Sequence, residues 1–297
     1  MAFRKPEREL SVTEILSQSL SLYASKFDLF LVPFLLTAVI NSFVSYAMWT
    51  LVPVFEVPQD ATQIVAWLVD YLFAVIPVLV ATVIVNWVVT TMASGMAVKI
   101  SSEVLEGRPA NFRTGFAAVL SSFPVLLVSG AIVSVLMVLG LLFFVVPGVI
   151  VLIIFSLTTQ TVMIERHGVS ASLWRSRRLV NHRLSKTFVV LIAIAILEVV
   201  SVSVGGFVGG LVTPYDRIIG LIIQSVASSI AQPLQPIMLT LYYYSMCAKE
   251  SQAGLGPSFQ QHPPMSPMYR PNFCTRCGAR LPPDAAFCPV CGAKVGS

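Results

Sequence analysis

Five long apolar stretches fill most of the first 248 residues and constrain the fold more than any other feature. They run over residues 27–53, 64–98, 116–164, 187–213 and 218–247. About 20 apolar residues cross the hydrocarbon core of a bilayer as one helix, and the third stretch is about twice that length. The pair Pro147-Gly148 lies near its middle, where this dipeptide favours a tight turn. The sequence therefore predicts six membrane-spanning helices.

The overall composition agrees with that prediction. Charged residues make up 11% of the 297 residues, whereas a soluble domain carries roughly 25%. Hydrophobic residues make up 56%, and the mean hydropathy is +0.82. These values exclude a soluble globular, disordered, collagen-like or disulfide-scaffold class. We therefore expect an integral membrane protein whose main partner is the lipid bilayer.

The basic residues are sorted between the two sides of the predicted spans. Every lysine and arginine except Arg217 lies in the N-terminal segment, in the loops after spans two and four, or in the C-terminal tail. Loops rich in lysine and arginine stay in the cytoplasm. The sequence therefore predicts a multi-pass protein of the cell membrane with both termini cytoplasmic.

Three amphipathic segments precede spans one, three and five. The first begins with a capping-box pattern at 11–14, the second covers 111–122, and the third covers 169–186. We interpret the chain as three units, each an amphipathic helix followed by a two-span hairpin. Residue identity between units is slight: the alignment of Leu16 with Leu173 also pairs Ser19 with Ser176 and Leu22 with Leu179.

The C-terminal tail carries two C-x-x-C pairs, separated by ten residues. Four thiolates satisfy a tetrahedral zinc ion and leave no open position, so the pattern predicts one structural Zn²⁺. About 25 residues cannot form a sufficient core alone, so the metal would supply the folding free energy. Disulfides, unbound thiols and an iron–sulfur site are the alternatives. The predicted ligands are Cys274, Cys277, Cys288 and Cys291.

The segment from Phe273 to Val295 resembles the short zinc-ribbon modules at the ends of many prokaryotic proteins. The resemblance implies contact with a protein or a nucleic acid. Its bases Arg276, Arg280 and Lys294 are too few to argue for nucleic acid, so we expect a cytosolic protein partner. The predicted domains are a membrane domain over 1–249, a proline-rich linker over 250–272 and a zinc ribbon over 273–297.

The membrane part also resembles a family. Pro147-Gly148, then Glu165, then the segment SLWRSRRLV at 172–180 follow the order found in the membrane domain associated with glycerophosphodiester phosphodiesterases and related six-span proteins. The amphipathic start at 15–22 matches the same pattern, and the similarity covers roughly residues 10–248. The barrel-shaped catalytic domain of that family has no room here. The resemblance therefore implies the role of the membrane domain alone.

Several residues are candidates for function within the membrane part. Glu198 lies near the middle of a predicted span, where a charge is costly. It is a proton- or cation-linked site, a neutral acid that bonds a neighbouring helix, or a group nearer the membrane interface. In the first case the side chains expected to face it are Asn86, Gln224, Gln232 or Gln235. The basic face near Arg175, Arg177, Arg178 and Arg183 either contacts anionic lipid, chiefly through Arg175 and Arg178, or only sets topology. The G-x-x-x-G pairs over 205–210 favour close helix packing or, alternatively, dimerisation.

The expected fold class is an all-α integral membrane protein. It has a six-transmembrane-helix bundle, cytoplasmic amphipathic helices and a small C-terminal zinc ribbon. The chain contains no G-x-S-x-G, H-E-x-x-H or phosphate-loop motif, so we expect a non-enzymatic protein. The leading hypothesis is a membrane-anchored scaffold or regulatory protein. The alternative is a small-solute or lipid transporter that the ribbon regulates.

Overall fold

The computed structural model describes residues 4–52, 60, 63–181, 183–252 and 291. The chain divides into two compact units, Met1–Gln252 and Ala253–Ser297. The described part of the first unit is helical and contains no strand. Its helices, numbered in chain order, are α1 Val12–Ser25, α2 Phe27–Leu51, α3 Ile64–Leu105, α4 Phe112–Phe143, α5 Val145–Phe155, α6 Thr158–Glu165, α7 Val169–Asn181, α8 Leu184–Val212, α9 Arg217–Ser229 and α10 Leu234–Gln252.

Six helical segments of the described residues are long and apolar enough to cross a membrane, as the sequence predicts. Their outer surfaces are apolar, and Phe73 on α3 is 78% exposed, as a lipid-facing side chain would be. The six segments are Phe27–Met48, Ile64–Leu105, Phe112–Phe143, Val145–Glu165, Leu184–Val212 and Arg217–Gln252.

Side-chain caps fix where two of the amphipathic segments begin. Ser11 Oγ accepts a hydrogen bond from the Glu14 amide at 3.2 Å, and the Glu14 carboxylate accepts one from the Ser11 amide at 2.8 Å. The predicted capping box is therefore confirmed. Asn111 caps α4 in the same way, since its Oδ1 accepts from the Thr114 amide at 2.8 Å.

The turn between spans three and four lies at Phe144, and the prediction of a turn at Pro147-Gly148 is wrong. Phe144 is extended between α4 and α5. Pro147 instead occupies the first turn of α5, where its missing N–H has no intrahelical acceptor to lose. Gly148 packs against α4, and a Cβ added to Gly140 would lie 2.8 Å from the Gly148 Cα. The pair of glycines therefore lets the hairpin close tightly.

Spans four and six are each interrupted, and an amphipathic helix supplies hydrogen bonds at each break. Ser176 of α7 donates from Oγ to the Ile154 carbonyl at 2.8 Å and accepts from the Leu157 amide at 3.3 Å. At the second break, the Tyr23 hydroxyl of α1 donates to the Ile230 carbonyl at 2.7 Å. Side chains of α7 and α1 therefore bond backbone groups at both breaks.

The buried core lies toward one end of the bundle. Helix α3 is buried mainly from Ala93 to Leu105, and α10 from Leu234 to Met246. Helices α3, α6 and α10 contact one another at this end. Around them, α1 packs against α10, α4 against α3 and α7 against α6. Each amphipathic segment therefore packs on the last helix of another hairpin, in cyclic order.

The burial pattern supports the three-unit interpretation for the first and third units. Four buried residues of α1 have the same spacing along the helix as four buried residues of α7. Serines Ser19 and Ser176 occupy equivalent places in the two sets. The sets are Ile15, Ser19, Leu22 and Tyr23 on α1, and Ser172, Ser176, Leu179 and Val180 on α7.

Candidate functional site

The ends of several helices meet in a network of ion pairs, here called the charged end. It joins the N-terminal segment, the ends of α3, α6 and α10, helix α7 and the start of α8. The ionic side chains of the charged end include Lys5, Glu9, Glu103, Glu106, Glu165, Arg175, Lys186, Lys249 and Glu250.

Arg175 lies at the centre of the most buried part of this network. Its side chain is 5% exposed. Its Nε donates to Glu165 Oε1 at 3.0 Å, and its Nη1 donates to Glu250 Oε2 at 2.7 Å. The Tyr243 hydroxyl donates to the same Glu165 oxygen, and His167 Nε2 lies 3.0 Å from the other. One guanidinium therefore joins α7 to both α6 and α10.

The environment of Arg175 keeps it charged. Burial by itself lowers the pKa of the guanidinium, because it penalises the charged form. The hydrogen bond to Glu250 and the attraction of Glu165 outweigh burial, so the pKa lies above its ordinary value. Arg175 is therefore a permanent cation between two carboxylates.

The local backbone explains why Glu165 and Arg175 meet. Helix α6 ends at Glu165, and Arg166 follows in the left-handed conformation with φ of 54°. A left-handed residue after a helix reverses the chain direction. Gly168 then leads into α7, which packs back against α6. The carboxylate and the guanidinium, ten residues apart, are thereby brought side by side.

A second group of contacts surrounds Glu9. Lys186 Nζ lies 2.7 Å from Glu9 Oε1, Lys249 Nζ lies 2.6 Å from Oε2, and Arg183 Nη2 lies 3.3 Å from Oε2. The neighbouring Leu10 amide donates to Ser245 Oγ at 2.8 Å. The N-terminal segment is therefore fixed to α8 and to the last turns of α10.

A third group surrounds Glu106, just after α3. The Tyr244 hydroxyl donates to Glu106 Oε1 at 2.9 Å, and Lys5 Nζ lies 2.7 Å from the same oxygen. Arg108 pairs with the other oxygen. Burial and the nearby charge of Arg108 lower the pKa of Lys5. Because Tyr244 lies on α10, this group joins α10 to α3.

The final turn of α3 makes one more polar contact with the next amphipathic segment. Thr114 Oγ1 donates to Glu103 Oε2 at 3.0 Å, and Lys99 Nζ lies 3.3 Å from Glu103 Oε1. Together the contacts of the charged end hold three hairpins and their amphipathic helices in one arrangement. The carboxylates of the charged end are already paired with cations, so these ion pairs serve to hold the helices together.

The structure places Glu198 on α8, half-buried, on the same face as Ile194 and Ser201. Ser201 Oγ donates to the Ser228 carbonyl of α9 at 2.7 Å. Within the described residues, Glu198 itself makes no hydrogen bond or ion pair. Asn86, expected from the sequence to face it, donates instead to the Thr82 carbonyl of its own helix. The functional role of Glu198 stays a prediction.

The two glycine pairs of α8 lie in different surroundings. A Cβ on Gly205 would lie 2.7 Å from the Gln224 carbonyl oxygen, and one on Gly209 would lie 2.8 Å from the Gly220 carbonyl oxygen. A Cβ on Gly206 or Gly210 would meet no described atom within 4 Å. The pair Gly205 and Gly209 therefore lets α9 approach α8 closely, as the packing interpretation expects.

The two arginines singled out for lipid contact differ in exposure. The Arg178 side chain is 56% exposed, and its Nε lies 3.4 Å from Glu250 Oε1. Arg175 is buried between its carboxylates, so its guanidinium serves to join helices. The sequence interpretation missed Glu165 and Glu250 as its partners. The sequence contains one signal of this partnership. The chain has only 14 acidic residues, and these two lie at the ends of spans four and six, beside the basic segments.

Most of the predicted zinc ligands lie outside the described residues. Cys274, Cys277 and Cys288 are among those not described, and Cys291 is half-buried. Within the described part of the chain, no group of three or more His, Cys, Asp or Glu side chains could hold a metal. The chemistry of the donor set, four cysteines in two C-x-x-C pairs, still fits structural zinc.

The family comparison supports the assignment of the tail. The model of a zinc-ribbon domain family matches residues 273–295, a range that includes the four cysteines. No curated protein matches the chain, and no solved structure does. The similarity of residues 10–248 to the phosphodiesterase-associated membrane domain stays an expectation. The chain thus combines an all-helical unit of six candidate spans with a C-terminal zinc-ribbon domain.

Proposed function

We propose that the protein is a non-enzymatic, membrane-anchored scaffold or regulatory protein. In this proposal the six-span bundle holds the ribbon at the cytoplasmic surface, where the ribbon contacts a cytosolic protein. Cys274, Cys277, Cys288 and Cys291 hold the ion, and zinc supplies the cross-link that lets so short a segment fold. The cytoplasmic side is favoured by the bias of basic residues and by the need for reduced thiols.

The observation that carries the proposal is the pair of ion pairs that fix the last turn of α10. Glu250 pairs with Arg175 at 2.7 Å, and Lys249 pairs with Glu9 at 2.6 Å. These contacts fix the point at which the chain leaves the bundle toward residues 253–297. A module attached at a fixed membrane point has a raised effective concentration for partners at the same surface. A membrane anchor requires such a fixed attachment point at the end of the bundle.

A second candidate function is the transport of a small solute or lipid. It is favoured by Glu198, which is half-buried without a partner among the described residues. It is also favoured by the break of span six at 230–233. Discontinuous helices near an intramembrane acid are typical of transporters. In this alternative the ribbon regulates the bundle.

The test compares three forms of the full chain, purified from solubilised membranes. They are the native protein, the Cys274→Ser/Cys277→Ser variant, and a Cys247→Ser control that removes a thiol outside the ribbon. We expect about one zinc per native chain and a defined set of co-purified cytosolic proteins. Both should disappear in the ribbon variant and persist in the control. Loss of zinc with an unchanged set of proteins would contradict the scaffold proposal.

The same preparation separates the two candidate functions. A Glu198→Gln variant should retain zinc and the co-purified proteins if the protein is a scaffold. Reconstituted vesicles should then show no solute flux that depends on Glu198. A flux that Glu198→Gln abolishes, and that persists after removal of residues 253–297, would favour the transporter.

A further inference from the structure

Helix α7 has an outward face on which a large aromatic side chain lies among cations. Trp174 is 67% exposed, on the side of the helix opposite the buried Ser172 and Leu179. Ala171, Arg177 and Arg178 share this side and are also exposed. This side of α7 therefore combines an exposed aromatic ring with exposed cations.

A groove of about 540 Å³ runs along this face. Its walls combine apolar, aromatic and cationic groups and include His167 at one end and Asn181 at the other. A space of this size is sufficient for a phosphate-bearing headgroup and the start of an acyl chain. Arg175 also lines the groove, but its guanidinium is held by Glu165 and Glu250.

The charge in this groove is not balanced. Helix α7 contains no acidic residue between Val169 and Asn181. Arg177 lies with its guanidinium carbon 5.3 Å from the centre of the Trp174 ring, and no ion pair is recorded for it in the described part of the chain. Arg178 reaches Glu250 only at 3.4 Å, while Glu250 is held at 2.7 Å by Arg175. The groove therefore presents an excess of positive charge beside an aromatic ring.

The position of α7 in the chain indicates which class of anion would bind to this positively charged groove. The helix connects span four to span five, so it lies where two spans leave the bilayer. Tryptophan is enriched at the level of the lipid headgroups. Arginine binds phosphate oxygens in a bidentate manner, and basic residues at this level attract anionic lipids.

We propose that Trp174, Arg177 and Arg178 form a binding site for the headgroup of an anionic phospholipid. The two guanidinium groups bind the phosphate, and the indole ring lies beside the glycerol and the first acyl carbons. This site keeps Arg177 and Arg178 of the basic face suggested by the sequence and leaves out Arg175, because Arg175 is occupied by Glu165 and Glu250. It is independent of the zinc ribbon and of the scaffold proposal.

The test uses the fluorescence of Trp174 in the full chain. Substituting Trp49, Trp67 and Trp87 with phenylalanine leaves Trp174 as the single tryptophan. The protein is placed in nanodiscs that contain either brominated phosphatidylglycerol or brominated phosphatidylcholine, whose bromines quench a neighbouring indole. We expect an apparent affinity about fivefold higher for the anionic lipid, from the attraction of arginines to anionic headgroups. Equal quenching by both lipids would overturn the proposal.

Two charge variants locate the effect. Arg177→Gln/Arg178→Gln should abolish the preference for the anionic lipid. The matched control Lys26→Gln/Arg113→Gln removes the same charge near α1 and α4 and should leave the preference intact. A preference that survives the first variant, or that falls equally in the control, would contradict a site at α7. Millimolar inorganic phosphate should have no effect, whereas loss of the preference on its addition would instead indicate a site for a soluble anion.

A second measurement does not depend on the tryptophan substitutions. Native mass spectrometry of the otherwise native chain counts the phosphatidylglycerol molecules that stay bound after detergent removal. We expect one more retained lipid in the native chain than in Arg177→Gln/Arg178→Gln, with phosphatidylcholine retained equally by both. Equal retention of phosphatidylglycerol would overturn the proposal.

Discussion

Tyr243 and Tyr244 are neighbours on α10, yet their hydroxyl groups bond to different helical hairpins. The Tyr243 hydroxyl donates to Glu165 at the end of α6, and the Tyr244 hydroxyl donates to Glu106 just after α3. Their rings meet edge to face, with centroids 5.5 Å apart. Two consecutive residues of one helix therefore join the ends of the other two hairpins.

Removing either hydroxyl should weaken this junction. We expect Tyr243→Phe and Tyr244→Phe each to destabilise the protein by about 2 kcal/mol, since each removes a hydrogen bond to a charged acceptor. Thermal unfolding in detergent measures the loss. Tyr215→Phe is the matched control, because Tyr215 is 90% exposed. An equal loss in the control would mean that the hydroxyl contacts at the junction carry no special weight.

Arg175 and Arg178 should differ strongly in their contribution to stability. Arg175→Met leaves Glu165 and Glu250 buried without their shared cation, which typically costs about 3–5 kcal/mol. Arg178→Gln removes a longer contact made by a side chain that is 56% exposed and should cost less than about 1 kcal/mol. The comparison is made by denaturant unfolding of the two variants in the same detergent. Similar losses in both would contradict the central place of Arg175.

The charged end shows how far sequence patterns reach. Span number, the capping box at Ser11 and the polar ends of the spans follow from local composition, so they could be predicted. The partnership of Arg175 with Glu250 joins residues 75 positions apart, and only the packing of α7 against α10 determines it. The sequence placed the turn at Pro147-Gly148 instead of at Phe144 for a similar reason. The contact between Gly140 and Gly148 decides where the hairpin closes.

The start of α1 should respond to acid. The pKa of Glu14 is lowered from its ordinary value near 4.5 to about 2. The main causes are hydrogen bonds from Arg8 and from the Ser11 amide and hydroxyl. A carboxyl with a lowered pKa stabilises the folded form above its ordinary value and loses this effect as the pH falls toward the lowered one. We expect amide exchange at the first turn of α1 to accelerate between pH 4.5 and 2.

Glu14→Gln separates this effect from general acid unfolding. The variant keeps the shape of the side chain but has no proton to gain, so the acceleration in that pH range should be absent. Amide exchange is followed by mass spectrometry on the peptide that contains Glu14. The same acceleration in both proteins would show that another group is responsible.

Two adjacent glycines of α8 provide a matched pair for the packing interpretation. Gly205→Ala would push a methyl group against the Gln224 carbonyl of α9 and should cost about 1–3 kcal/mol. Gly206→Ala adds a methyl where no described atom lies within 4 Å and should be neutral or slightly stabilising. Thermal unfolding compares the two. If Gly206→Ala were the damaging change, the outer face of α8 would be a contact between protein copies.

The most direct test of the anchored-ribbon proposal is photo-cross-linking in living cells. A photoreactive amino acid replaces Arg280 between the two cysteine pairs, and the cross-linked products are identified. We predict cross-links to a small set of cytosolic proteins, which disappear when Cys288→Ser and Cys291→Ser remove two zinc ligands. Cross-links that persist without those cysteines, or that involve only proteins from the opposite side of the membrane, would contradict the proposal.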